Sequence, residues 1–254
     1  MIIAEAVVLV GVGVLAGVSS TVISLASLVS YPALLAFGLS PLSANVTNTV
    51  AVLFTGIGAA AGSRPELAGQ SRRVLRLGRL TALGGATGAV LLLVTPSQTF
   101  GMIAPWLIGS ASLLLLRPPR SGSRADRPGT GPWAETGRRF RAAVFAVAIY
   151  LGYFGAAGGI VMLAVLSTAL DRPITRVNAI KNVISALANG VAAAGFALFG
   201  PVDWAVAAPL AVGFVVGGWI GPAIARRLPG QTLRYVAGVC GLAVAIKLGI
   251  DAYH

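Results

Sequence analysis

Long apolar segments separated by short polar connections run along almost the entire chain. Segments such as residues 4–18, 81–94, 142–170 and 205–225 are each long enough to cross or enter a hydrocarbon core roughly 30 Å thick. Polar residues do not alternate with apolar ones at every second position, which favours helices over a β-barrel. The pattern therefore predicts an all-α polytopic membrane protein of about eight to ten hydrophobic helices.

The composition agrees with this class. Hydrophobic residues make up 56% of the 254 residues and charged residues only 10%, whereas about 25% of the residues in soluble domains are charged. The single Cys240 excludes an intramolecular disulfide, and the lone His254 offers no metal cluster. We predict no metal site and no cofactor.

Most of the basic residues lie between the apolar segments. The net charge of +12 would point to nucleic acid in a soluble protein, but seven of the nineteen basic residues fall within residues 117–141. That segment is rich in Pro, Gly and Ser and is predicted to be a flexible cytoplasmic linker. Its arginines could contact anionic lipid headgroups, but we interpret them as topological markers. No nucleic-acid partner is predicted.

The arginines in the other connections restrict the topology. Residues 64–79, 171–176 and 225–234 carry arginines, whereas the connections SPLSAN, TPSQTFG and GPVDW carry none. If every apolar block crossed once, the arginine-rich connections would lie on both faces, against the positive-inside rule. All of them share one face if the blocks at residues 2–38 and 142–170 enter the membrane and return.

Each half then consists of a broken or re-entrant helical hairpin followed by three transmembrane helices. Because three crossings are an odd number, the second half is inverted relative to the first, and both termini lie outside. The predicted units are residues 1–117, a cytoplasmic linker at 118–141, and residues 142–254. The first block resembles a signal peptide, but Glu5 replaces a basic region and the apolar run continues to Phe37, so we expect it to be retained.

Weak similarity between the halves supports this inverted repeat. GVSST at 17–21 matches GAAGG at 155–159, SPLSANVTNTV matches RPITRVNAIKNVI, and TGIGAAAG matches NGVAAAG. In this register Asn48 corresponds to Asn182 and Gly56 to Gly190. Inverted repeats whose discontinuous helices meet at the midplane are a common plan among transporters.

A lysine inside an apolar segment is the main functional signal. A helix that begins near Ile174 places Lys181 about 10 Å along its axis, where a charge costs on the order of 3 kcal/mol. All seven acidic residues lie at block ends or in connections: Glu5, Glu66, Asp126, Glu135, Asp171, Asp203 and Asp251. We therefore hypothesise that a transported anion supplies the compensating charge.

Polar residues of both halves complete the predicted substrate site, with helix N-termini of the hairpins offering backbone donors and a favourable dipole. The predicted site consists of Ser19, Ser20, Thr21, Asn45, Thr47, Asn48, Gly158, Gly159, Asn178, Lys181 and Asn182. In the alternative interpretation Lys181 extends toward the cytoplasmic surface, and the asparagines only join helices by hydrogen bonds.

Several of these segments resemble one known family. LLAFGLSPLSANVTNTVAVL followed by RPEL, and RVNAIKNVISALAN followed by GPVDW and RRLP, are similar to the TauE/SafE family of bacterial membrane transporters. The resemblance covers nearly the whole chain except the linker. It implies a permease of the bacterial inner membrane that moves small sulfur-containing anions such as sulfite, sulfonates or thiosulfate. Many members carry a fuller glycine run where this chain has GVSST, which leaves the substrate open.

The sequence also bears on two functional classes other than a transporter. An intramembrane enzyme needs positioned acids, bases or nucleophiles, which this sequence does not supply. A structural or assembly subunit of a membrane complex would also use polar intramembrane residues, as contacts between helices, and this alternative stays open. Besides a small anionic substrate and lipid, the sequence predicts no partner and no oligomeric state.

Overall fold

A computed structural model describes residues 3–23, 26–62, 67–116, 137–156, 158–170, 174–225 and 230–253. Within these ranges the chain forms ten helices and no strand, which confirms the predicted all-α polytopic class. The helices are α1 (Ile3–Ile23), α2 (Ala26–Ala36), α3 (Pro41–Gly62), α4 (Ser71–Val94), α5 (Ser97–Leu116), α6 (Arg138–Tyr153), α7 (Gly158–Ala169), α8 (Ile174–Phe199), α9 (Trp204–Ala225) and α10 (Gly230–Tyr253).

Four of these helices are long and apolar enough to cross a membrane, namely α1, α4, α8 and α9. Most of the predicted linker lies outside the described residues. Its last part does not, because α6 begins at Arg138, within the segment predicted as linker.

Helix packing follows the same plan in both halves. Helix α1 packs along α9 just as α6 packs along α4, and α3 contacts α9 just as α8 contacts α4. The third helices, α3 and α8, contact each other, and so do the fifth helices, α5 and α10. The two halves are thus related by a pseudo-two-fold axis. Each half also places its fourth helix against the first and third helices of the other half.

The equivalent helices α3 and α8 run antiparallel where they meet. A Cβ at Gly56 would lie 2.7 Å from the Ala186 Cβ, and a Cβ at Gly190 would lie 3.3 Å from Leu53. Higher numbers in α3 therefore face lower numbers in α8. The same antiparallel order pairs α5 with α10, through Gly109 with Ala245 and Pro105 with Gly249. The second half is therefore inverted relative to the first, as the arginine pattern predicts.

Helices α3 and α9, by contrast, run parallel. The Asp203 N–H donates to Thr47 Oγ1 at 3.0 Å near the start of both helices. A Cβ at Gly218 would lie within 3.2 Å of Thr55, toward their ends. The C-terminal ends of α3 and α9, which lead into two of the arginine-bearing connections, therefore lie at the same end of the bundle.

Glycines allow the closest helix contacts. A Cβ at Gly13 of α1 would overlap the Leu210 carbonyl oxygen of α9, and a Cβ at Gly217 would overlap the Val14 carbonyl oxygen. In lipid, where water does not drive helices together, close backbone approach at small residues is a principal source of association energy. Gly84, Gly88 and Gly152 give α4 and α6 an equivalent contact.

The hairpin of the second half is broken between α6 and α7. Helices α6 and α7 contain 16 and 12 residues, fewer than the roughly 20 that a full crossing needs. Gly155 makes the turn between them with a φ of 76°. Backbone groups freed by the break must find partners inside the protein. Asn45 Nδ2 donates to the Tyr153 carbonyl at 3.0 Å, and the Tyr150 hydroxyl donates to the Ala156 carbonyl at 2.7 Å.

The hairpin of the first half differs from the prediction, which placed a helix N-terminus at residues 19–21. Helix α1 continues to Ile23, so these residues lie near its C-terminal end. The Thr21 hydroxyl lies 3.2 Å from the Gly17 carbonyl and 3.0 Å from that of Val18, bonds that keep it within its own helix. Gly17 packs against α9 rather than opening a break, since a Cβ there would lie 3.0 Å from the Gly217 Cα. The expected backbone donors at residues 19–21 are therefore not available.

Candidate functional site

A small cavity lies between the first three helices of each half. Its volume is about 80 Å³, and it is bounded by α1, α2 and α3 on one side and by α6, α7 and α8 on the other. Its lining residues are Ser20, Thr21, Ala26, Ser27, Val52, Thr55, Gly56, Ala59, Leu151, Gly155, Gly159, Lys181, Asn182, Ser185, Ala186 and Asn189. We refer to it as the central cavity.

The central cavity lies at the pseudo-two-fold axis. In the register that pairs Asn48 with Asn182, Thr55 corresponds to Asn189, and both residues line the cavity. The cavity is also next to the crossing of α3 and α8, near the middle of both helices. Both halves therefore contribute polar groups to one shared space.

Lys181 is buried in the wall of this cavity, with 2% of its surface exposed. Of the described residues that line the cavity, it alone carries a charge. Ser185 and Asn189 follow it at intervals of four residues and therefore lie on the same face of α8. One side of the cavity thus presents an ammonium group, a hydroxyl and an amide along a single helix.

Two hydroxyl groups in the cavity wall have no hydrogen-bond partner among the described residues: Thr55 Oγ1 in α3 and Ser185 Oγ in α8. Both side chains are more than nine-tenths buried. A buried polar group without a partner costs about 1–3 kcal/mol. The cavity therefore contains hydrogen-bonding capacity that the protein itself does not use.

Five of the predicted site residues line the central cavity: Ser20, Thr21, Gly159, Lys181 and Asn182. Ser19, Gly158 and Asn178 are not among the lining residues. Gly158 instead begins α7, as predicted, and a Cβ there would lie 2.7 Å from Leu151 Cδ2. Its lack of a side chain serves the packing of α7 against α6.

Asn45, Thr47 and Asn48, which the sequence predicted to contact the substrate, are not among the residues that line this cavity. Asn45 and Thr47 make the bonds to α6 and to the start of α9 described above. Asn48 Nδ2 donates to Ser27 Oγ at 3.1 Å, and its Oδ1 accepts from the Ser30 hydroxyl. A buried amide needs partners, and these partners belong to neighbouring helices. The three residues of α3 thus position other helices around the cavity.

The sequence prediction missed four polar lining residues: Ser27, Thr55, Ser185 and Asn189. The four-residue interval from Lys181 identifies Ser185 and Asn189 once one face of α8 is assumed to line a site. The repeat register then identifies Thr55 from Asn189. Ser27 carries no comparable signal in the sequence.

A second and larger cavity of about 860 Å³ lies between α2, α5 and α10. Its wall is mostly apolar, with Gln98, Lys247 and Asp251 as its polar residues. None of the predicted site residues lines it. It contains none of the buried polar atoms that lack a hydrogen-bond partner among the described residues, and we do not assign it to the site.

Comparison with known proteins gives one consistent picture. The family model described as Sulfite exporter TauE/SafE matches residues 9–248. The probable membrane transporter protein ORF9 of Sinorhizobium sp. is 24% identical over 241 residues, covering 94% of this chain and 90% of its own length. The probable membrane transporter protein YfcA of Escherichia coli K12 is 26% identical over 253 residues, with 97% and 90% covered. No solved structure matches the chain.

Proposed function

The chain belongs to the sulfite exporter TauE/SafE family, and on that premise we propose that it is a permease for small sulfur-containing anions. Family membership makes it a multi-pass membrane transporter. The finer proposal is that sulfite or a related oxyanion binds in the central cavity, and that the protein works in the bacterial inner membrane.

The position of Lys181 carries this proposal. Its ammonium group lies in the wall of a cavity at the inverted-repeat axis, with uncharged hydrogen-bonding groups on both sides. A charge buried in a membrane helix is costly and usually marks a substrate or ion pathway. A bound anion would offset that cost, whereas a cationic substrate would add to it.

The architecture suits alternating access. In transporters with inverted repeats, the substrate site lies where the repeats meet, and one bundle moves against the other around it. Here the groups that would contact the anion come from α3 in the first half and α8 in the second half. Movement between these helices would open the cavity to one face at a time.

Reconstitution tests the proposal directly. Purified protein in liposomes loaded with unlabelled sulfite should take up labelled sulfite, and Lys181→Met should reduce the rate at least tenfold. Lys247→Met is the matched control, because it removes the other lysine of the chain, which does not line the central cavity.

Two results would contradict the proposal. Flux through Lys181→Met at the wild-type rate would remove the role of this charge. Absence of flux for sulfite, thiosulfate and simple sulfonates in the wild-type protein would instead favour the alternative, a structural or assembly subunit of a membrane complex.

A further inference from the structure

We propose that the Thr55 and Ser185 hydroxyls bind oxygen atoms of the transported anion, and that the central cavity selects purely anionic oxyanions over zwitterions such as aminosulfonates. This inference deepens the proposed function and rests on it. It names the side chains that bind the substrate and the chemical class of compound that the cavity excludes.

The first step concerns the two unpartnered hydroxyls. Each hydroxyl can donate one hydrogen bond and accept two, and neither makes any bond to another described residue. They belong to different halves, since Thr55 lies on α3 and Ser185 on α8. An oxyanion placed between them would accept one bond from each half.

The other hydroxyl groups of the wall differ from these two, since Ser20 is only partly buried and the hydroxyls of Thr21 and Ser27 already take part in hydrogen bonds. The Thr21 hydroxyl is already bonded to backbone carbonyls of its own helix, and Ser27 Oγ accepts a bond from Asn48. Thr55 and Ser185 are therefore the hydroxyls that gain most from a ligand. A charge-assisted bond from a hydroxyl to an oxyanion is about twice as strong as a neutral one.

The second observation is the absence of acidic side chains among the described residues of the cavity wall. None of the described lining residues is acidic, so a substrate ammonium group would find no carboxylate in the cavity. It would also lie in a small space together with the Lys181 ammonium. Removing a charge from water without a partner costs several kcal/mol, and repulsion between like charges adds to this cost. An aminosulfonate should bind much more weakly than the same sulfonate without its amino group.

The volume of the cavity supports a small ligand. About 80 Å³ exceeds the roughly 10–15 Å³ that a cavity needs to hold one water molecule. A compact oxyanion stripped of most of its water suits such a space, and its lost hydration would be replaced by hydroxyl, amide and ammonium donors.

Substrate selection is tested with a matched pair of competitors. Ethanesulfonate and 2-aminoethanesulfonate share one skeleton and differ by the ammonium group. Each is titrated against uptake of labelled sulfite by wild-type proteoliposomes. We expect ethanesulfonate to inhibit this uptake by half at a concentration at least tenfold lower than 2-aminoethanesulfonate does. Equal competition by the two compounds, or stronger competition by the aminated one, would overturn the selection against zwitterions.

The roles of the hydroxyls are tested with Thr55→Val and Ser185→Ala. Each variant should raise the KM for sulfite about tenfold while leaving the thermal unfolding temperature unchanged or slightly higher, because each removes an unsatisfied buried group. Ser112→Ala is the control, since Ser112 Oγ is also buried and unpartnered among the described residues but does not line the cavity. Its unfolding temperature should also be unchanged or slightly higher than that of the wild type, and its KM for sulfite should be unchanged.

The outcomes separate this inference from the proposed function. If wild-type protein moves no sulfite, the proposed function itself fails. If sulfite is transported and Lys181→Met abolishes transport, but Thr55→Val and Ser185→Ala keep the wild-type KM, only the assignment of the hydroxyls is wrong. Destabilised variants with an unchanged KM would likewise overturn it, by showing a purely structural role.

Discussion

Thr47 and Lys181 occupy equivalent positions in α3 and α8, yet only Lys181 lines the central cavity. Thr47 is fully buried and accepts a hydrogen bond at 3.0 Å from the N–H of Asp203, the residue just before α9. The two halves therefore have the same helix arrangement, but the side chains at equivalent positions differ in charge and in their contacts. The pseudo-two-fold site has its ammonium group on one side only, and an anion bound there would lie in an asymmetric field.

Thr47→Val should therefore affect stability rather than substrate binding. The substitution preserves shape but leaves the partly buried Asp203 N–H without its acceptor, which costs about 0.5–1.5 kcal/mol. We expect a lower unfolding temperature in detergent and an unchanged KM for sulfite in liposomes. Thr47→Ser, which keeps the hydroxyl, should restore most of the stability. A large rise in KM without loss of stability would contradict this assignment.

The contact between α1 and α9 gives a second prediction, with a control two residues away. Gly13→Ala would bring a Cβ into the Leu210 carbonyl oxygen, whereas a Cβ at Gly11 meets nothing within 4 Å. Overpacking of this kind costs about 1–3 kcal/mol, so Gly13→Ala should lower the unfolding temperature and the yield of purified protein. Gly11→Ala should be neutral or slightly stabilising, because alanine favours a helix more than glycine does.

The difference in unfolding temperature between Gly11→Ala and Gly13→Ala tests this contact. Equal unfolding temperatures for Gly11→Ala and Gly13→Ala would show that α1 and α9 do not approach as closely as described. The parallel pair α4 and α6 offers the same comparison at Gly88, whose added Cβ would overlap the Ile149 carbonyl oxygen.

A third prediction concerns sidedness. In a Cys240→Ala background, Ser71→Cys and Arg227→Cys should both resist a membrane-impermeant thiol reagent in intact cells and react after lysis. Ser97→Cys, at the start of α5, should react in intact cells. The expectation follows from the common end of the bundle shared by the C-termini of α3 and α9, and from the arginine bias. Reaction of Ser71→Cys and Arg227→Cys on different faces would disprove the inverted arrangement.

The helical class, the inverted halves and the place of Lys181 could be predicted because they depend on features local to the sequence. Apolar block length limits the number of crossings, and arginine placement limits their direction. A lone lysine in an apolar helix has few acceptable environments. None of these constraints depends on how the helices pack against one another.

The polar residues of α3 could not be assigned in this way. Asn45 and Asn48 are three residues apart and have a composition typical of a binding site, but their partners lie on α6 and α2. Which helix a side chain meets depends on the exchange of fourth helices between the halves, and nothing in the local sequence records that exchange. For the same reason, Gly17 could not be recognised as a contact with α9 rather than a break in α1.

Each fourth helix packs against the other half of the protein, and this arrangement also limits the order in which the chain can fold. The close contact of α1 is made by residues such as Gly213, which leaves the ribosome 200 residues after Gly13. Until then the glycine face of α1 has only lipid or a chaperone to cover it, and an N-terminal half made alone would be a substrate for quality-control proteases. Two fragments divided within residues 118–136 and synthesised together should rescue each other, because each holds the helix that the other needs.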